Sequence, residues 1–396
     1  MKTKERYIIG LVVVILLSLT FFATKNYNGN LSSLLRIGKM FSETHEMPSG
    51  LVAYDPVGYD GELYYQMARN IPQFFLGNDH SDIPFYDNAY RWQRILLPMT
   101  VYGLSFGNES WFPNMFIRIN LIAIILSFLL TIKLIGKLNI HTLTSVFNPA
   151  ALVGLLFCLT EPLSLLFITA FLLRWKKKEM QIDTLQILFL TLALFARETT
   201  LFLIVLLMAL CVIPEKYRQV VSGKWLVVSK FNQLFLLFIP IAAFTLWQVV
   251  LYLRLGEIPM ANGSGMVDWK FLGTFGLIGR AIADLNPYVL SSLAFLFLFV
   301  LPLLLYGLYL WFKKDKKTPI LFILGGLTVA MLSMNVALWG VLTSIGRVIT
   351  PIYPVYAIAA SESDSRPFKM LSASLIAVSI ILAVGIVIQK HMFVIS

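Results

Sequence analysis

The chain has 396 residues, of which 58% are hydrophobic and 13% charged. A soluble globular domain carries about 25% charged residues, so an ordinary water-facing surface is excluded and a polytopic membrane protein is expected. The net charge of +11 does not mark a nucleic-acid binder. Lys and Arg sit in short clusters between apolar runs: Lys2 to Arg6, Lys133 and Lys137, Arg174 to Lys178, Lys216 to Lys230, Lys313 to Lys317, and Arg366 with Lys369. Such clusters are cytoplasmic anchors under the positive-inside rule. The two cysteines lie in apolar runs and the four histidines are far apart, which argues against a disulfide framework or a His-ligated metal.

A spanning helix needs about 20 mostly apolar residues. The first candidate, residues 7–23, follows basic residues and lacks a convincing cleavage site, so it reads as an uncleaved helix with a cytoplasmic N-terminus. Further runs at about 111–136, 143–157, 160–174, 183–197, 199–213, 231–254, 287–312, 318–339, 347–361 and 369–388 bring the expected count to about eleven. The class is all-α, a single integral membrane domain over residues 1–396. Residues 95–106 are apolar but short, and are expected to lie on the outer membrane face. Residues 25–110 then form one long extracytoplasmic loop, and residues 256–286 a second, in which Gly263-Ser264-Gly265 reads as flexible.

The first loop holds eight Asp and Glu residues between Lys25 and Arg94, and a long loop of this kind usually carries function. Its densest segment runs Tyr54-Asp55-Pro56-Val57-Gly58-Tyr59-Asp60-Gly61-Glu62-Leu63-Tyr64-Tyr65. Asp60 stands just before an expected short helix over residues 62–69. It can cap that helix through its side-chain oxygen, or serve as a general base among aromatic faces suited to sugar rings. Gly58 and Gly61 allow close backbone approach.

The string from Gly58 to Ala68 resembles the first-loop motif of the GT-C superfamily of membrane glycosyltransferases. It is closest to the branch with the GPI mannosyltransferases, and is similar to bacterial cell-surface glycopolymer proteins with a D-G-x-F-Y-Y pattern. The stretch Tyr90-Arg91-Trp92-Gln93-Arg94 before Pro98 resembles the basic lead-in to the second juxtamembrane helix of that fold. Arg118, Asn148-Pro149 with Thr160-Glu161-Pro162, Arg197-Glu198 and Gly346-Arg347 also fit. The resemblance implies a GT-C fold and a polyprenyl-phosphate sugar donor. It further implies a lipid or glycan acceptor at the cell envelope, and a single displacement that inverts the anomeric centre with Asp60 as base. Glu62 matches the second position of a D-x-E pair, which in some relatives holds a divalent cation. Magnesium or manganese on Asp60 and Glu62 is one reading that the pair alone does not require. Asp55 is a further acid outside the motif's core, with Tyr59 and Tyr64 as supporting aromatics.

A donor phosphate needs cations, and arginine's planar fork suits phosphate oxygens. The outer-face candidates are Arg91, Arg94, Arg118, Arg197 and Arg347, each of which could instead snorkel toward headgroups. Arg197 and Glu198 could form a self-contained pair. Glu161, between two short apolar runs, is expensive there unless it faces a polar cavity. The rival readings are a transporter or flippase of lipid-linked glycan, a glycan polymerase or ligase, and a non-catalytic membrane scaffold, for which the acidic motif would have no purpose. The Lys-, Ile- and Phe-rich composition fits a low-GC bacterium, in whose plasma membrane the expected carrier is undecaprenyl phosphate.

Overall fold

Apolar length and punctuation decide the order of elements. The computed structural model describes residues 3–44, 48–54, 58–77, 89–212, 230–262, 272–283, 287–313, 319–339 and 341–388. The first long helix is α1 (Thr3–Thr24). A two-residue parallel strand pair follows, β1 (Ile37–Gly38) against β2 (Ala53–Tyr54), with α2 (Lys39–Thr44) between. Next come α3 (Asp60–Arg69), α4 (Ile71–Leu76), α5 (Ala89–Trp92) and α6 (Leu96–Leu104). Then α7 (Phe112–Ile135) runs until Gly136 ends it in the left-handed region, at φ 82, where a residue without Cβ is favoured.

Three pieces of polar punctuation set the middle of the chain. The side chains of Asn139 and Asn148 accept from backbone amides two or three residues into α8 (Ile140–Leu143) and α9 (Pro149–Leu156), the usual satisfaction of helix-start donors. After α10 (Glu161–Lys177), Asp183 and Gln186 form a capping box at the start of α11 (Thr184–Ala196), which α12 (Thr200–Val212) follows. The remainder is α13 (Lys230–Leu255), α14 (Pro259–Asn262), α15 (Leu272–Ala283) and α16 (Pro287–Phe295). A π-helical turn leads into α17 (Leu301–Phe312), then α18 (Pro319–Leu332), α19 (Val336–Trp339), α20 (Leu342–Val348), α21 (Ile352–Ser363) and α22 (Arg366–Ile388).

The all-α class stands. Among the described residues five helices are long and apolar enough to cross a membrane, not eleven: Thr3–Tyr27, Glu109–Ile135, Asn232–Leu255, Val289–Phe312 and Arg366–Ile388. The other apolar runs are cut short. Helix α11 and helix α12 have 13 residues each and α18 has 14; at 1.5 Å per residue that is about 20 Å, against a hydrocarbon core of about 30 Å. The long helices expose Leu11, Phe21, Ile122, Phe235, Leu253 and Ile381 on their outer faces, which suits lipid rather than water. The expected surface helix at residues 95–106 is α6, which buries Leu97, Pro98 and Val101 in the fold.

One end of the molecule is basic. Lys137 and Lys369 both pair with Asp364, and Lys176 pairs with Glu362, so the ends of α7, α10 and α21 meet the start of α22. The other end of α10 begins at Glu161, about 22 Å away at 1.5 Å per residue. There the chemistry collects.

Candidate active site

Helix α3 begins where the chain is pinned. The Tyr59 amide donates to the Arg36 carbonyl at 2.8 Å, and Tyr59 is extended at φ −137. Asp60 is therefore the first helical residue, and no side chain caps α3. That removes the helix-cap reading of Asp60. An added Cβ at Gly61 would strike the backbone carbonyls of Phe157 and Leu35, and one at Gly58 the Arg36 carbonyl and the Glu62 carboxylate. Glycine at both positions lets α3 seat its first turn on backbone.

Freed from capping, the Asp60 carboxylate takes two guanidinium groups. Arg91 Nη2 donates to Oδ1 at 2.7 Å and Arg347 Nη2 to Oδ2 at 2.7 Å. Burial alone would raise the Asp60 pKa, but Arg91, Arg347 and Arg94 outweigh it and hold the carboxyl well below the usual carboxylate range. Arg347 also donates to Glu161 Oε1 at 2.8 Å, the Tyr59 hydroxyl at 3.2 Å and the Thr343 carbonyl at 2.9 Å. Glu161 is fully buried and is paired on the same oxygen with Arg197 Nη1 at 3.0 Å.

A second knot adjoins the first. Arg94, 1% exposed, grips Glu198 in bidentate fashion, Nε and Nη2 each donating at 2.6 Å. It also donates to the hydroxyls of Tyr64 at 3.0 Å and Tyr90 at 2.7 Å. The self-contained Arg197–Glu198 reading does not describe this arrangement: Arg197 reaches Glu161 and Glu198 reaches Arg94. Among the described residues, four arginines thus face three carboxylates, Asp60, Glu161 and Glu198, leaving one positive charge. Among the described residues, buried polar atoms at its edge lack a hydrogen-bond partner: Arg197 Nε and Nη1, Glu161 Oε2, and the hydroxyls of Thr160 and Thr199. Such orphans are costly and suit a polar ligand.

Other expected site residues fall elsewhere. Glu62 accepts from the Gly38 amide at 2.7 Å; burial pushes its carboxyl up to about 7, opposed by that bond and helped by the nearby Asp60 charge. Asp60 and Glu62 face different partners, and among the described residues no three His, Cys, Asp or Glu side chains converge as a metal site. With both Asp60 oxygens against cations, the pair does not fit a divalent ion in this arrangement. Arg118 is exposed on α7, on the side away from buried Phe116 and Asn120, and among the described residues no bond ties it to the cluster. Asp55 and Gly263-Ser264-Gly265 lie outside the described residues.

The geometry also adds residues. Between α9 and α10 the chain turns through Cys158 in the left-handed region, at φ 54. Asn120 Nδ2 donates to the Gly154 and Leu159 carbonyls there, at 3.0 and 2.9 Å, supplying partners that apolar surroundings cannot. That turn sets Glu161 and places the Phe157 ring 4.6 Å from the Tyr59 ring. An amide within the apolar run of α7 was a readable signal, since polar groups at such depth usually have a task. Arg36, stacked over Tyr54 and Phe157, carried no such signal. No family model matches this chain, and neither curated proteins nor solved structures supply a match.

Proposed function

We propose that this chain is a membrane glycosyltransferase of the GT-C type, moving a sugar from a polyprenyl-phosphate donor to a cell-envelope acceptor at the outer membrane face. The observation that carries the reading is Asp60, a buried carboxylate at the first turn of α3, set among Arg91, Arg94, Arg197 and Arg347 and the tyrosines 59, 64 and 90. Cations there match a phosphodiester, aromatic rings match a sugar, and a carboxylate matches proton removal. In the step proposed, Asp60 takes the proton of an acceptor hydroxyl. That oxygen bonds to the anomeric carbon from the face opposite the phosphate, and the carbon–oxygen bond to phosphate breaks. The electron pair leaves with the polyprenyl phosphate, whose charge the arginines balance.

The test compares envelope glycans by mass spectrometry in cells with and without the chain. The expected result is loss of one glycosyl unit, restored by wild type but not by Asp60→Asn. Unchanged glycans would overturn the transferase reading. A flippase of lipid-linked glycan shares the broken helices, and is separated by the purified protein releasing polyprenyl phosphate from donor in detergent, where no membrane exists to cross.

The same reading sets the topology: residues 25–110 outside a bacterial plasma membrane and the basic end inside. Lys25→Cys should react with an impermeant maleimide in intact cells, and Lys178→Cys only after permeabilisation. The reverse pattern would invert the register.

A further inference from the structure

The two cations on Asp60 are held very differently. Arg347 is anchored by Glu161, Tyr59 and the Thr343 carbonyl as well as by Asp60. Among the described residues Arg91 makes one hydrogen bond to a side chain, that to Asp60, lies 5.1 Å from the Tyr90 ring centre, and its side chain is 21% exposed. It sits on the four-residue helix α5. With both oxygens engaged, Asp60 has little capacity to receive a proton, since each guanidinium stabilises the ionised form.

We propose that Arg91 exchanges partners: an incoming phosphodiester draws it off Asp60, so that the carboxylate is uncovered only when donor is bound. The inference rests on the transferase reading and adds to it the order of events at the site. Charge, chemistry and exposure support it. The cluster carries one surplus positive charge, which a singly charged phosphodiester neutralises. Arginine binds phosphate oxygens with the same fork it offers a carboxylate. Arg91 is the most exposed of the four cluster arginines, its side chain 21% exposed against 2%, 4% and 8% for Arg94, Arg197 and Arg347. Arg347 stays in place as the fixed wall of the site, and Asp60 keeps one cation to orient it.

Exchange means competition, and competition has a signature that a plain binding arginine lacks. Removing the competing carboxylate should strengthen phosphate binding. The probes are farnesyl phosphate and inorganic phosphate, titrated against purified full-length protein in detergent. Asp60→Asn is expected to bind farnesyl phosphate at least fivefold tighter than wild type, within the range typical of site coupling, about 5–150-fold. Arg91→Gln should bind at least tenfold weaker, and in the Asp60→Asn/Arg91→Gln double variant the gain should vanish. If the gain is absent, or survives without Arg91, the exchange is wrong whatever the protein transfers. If inorganic phosphate shows the same ordering and the farnesyl chain adds nothing, the exchange stands and the lipid-linked donor falls. Should Asp60→Asn fail to fold, Asp60→Ser decides the matter, since it too removes the competing carboxylate: a gain of at least fivefold supports the exchange, and unaltered affinity overturns it.

Discussion

Under the proposed transferase reading, Asp60→Asn should leave a folded protein whose transfer rate is lower by about 10²–10⁴, the usual contribution of a general base. The fold should survive for a reason visible at the site. The Asn oxygen can still accept from one arginine, Arg347 keeps Glu161, Tyr59 and the Thr343 carbonyl, and Arg91 can turn to water. The cost is that of weakening hydrogen bonds to charged groups, about 1–3 kcal/mol. Turnover is compared with wild type at equal folded protein. A variant that kept more than about a tenth of wild-type turnover, above what loss of a general base allows, would make Asp60 a purely ionic brace.

Glu161→Gln is the larger test of stability. Glu161 is fully buried, with Arg197 and Arg347 on one oxygen, and Arg197 is only 4% exposed. Removing one partner of a buried pair leaves an uncompensated charge and costs about 3–5 kcal/mol. Arg197→Met should cost less, because Arg347 still donates to the Glu161 carboxylate. The double variant Glu161→Leu/Arg197→Met should recover part of the loss, since replacing both members of a buried pair is often close to neutral. Thermal unfolding in detergent reads all three. Single variants within about 0.5 kcal/mol of wild type, the size of an ordinary surface change, would show that water already solvates the pair.

The residue types at this site were legible in the sequence, and their partners were not. An acid between two glycines, and ionisable groups interrupting apolar runs, stand out because their burial is expensive. Which arginine meets which acid depends on how separate segments pack. Arg197 and Glu198 are neighbours, yet Arg197 is extended at φ −151 and ψ 115. Successive side chains of extended backbone point to opposite sides, so the two reach different partners. Asp60 looked like a cap because Asp favours that position; with the Tyr59 amide bonded to the Arg36 carbonyl, the helix starts two residues earlier, at Asp60. The span count failed for a related reason. Hydropathy reports that a run is apolar, whereas Asn148, Asp183 and the turn at Cys158 decide where its helix stops.

The order in which the cluster's members leave the ribosome follows from their spacing. Arg347 lies 186 residues after the Glu161 it binds, so at roughly 5–20 residues per second it is made on the order of ten to forty seconds later. Through that interval Glu161 must enter the membrane with Arg197 as its available counter-charge, and Asp60 must wait with Arg91. The early half of the chain thus carries its own provisional ion pairs into the bilayer, and the arrival of α20 ties them together. A nascent chain stopped before α20 should insert its early helices without closing the site, which puts assembly after residue 342 of the 396 has been made, late in translation.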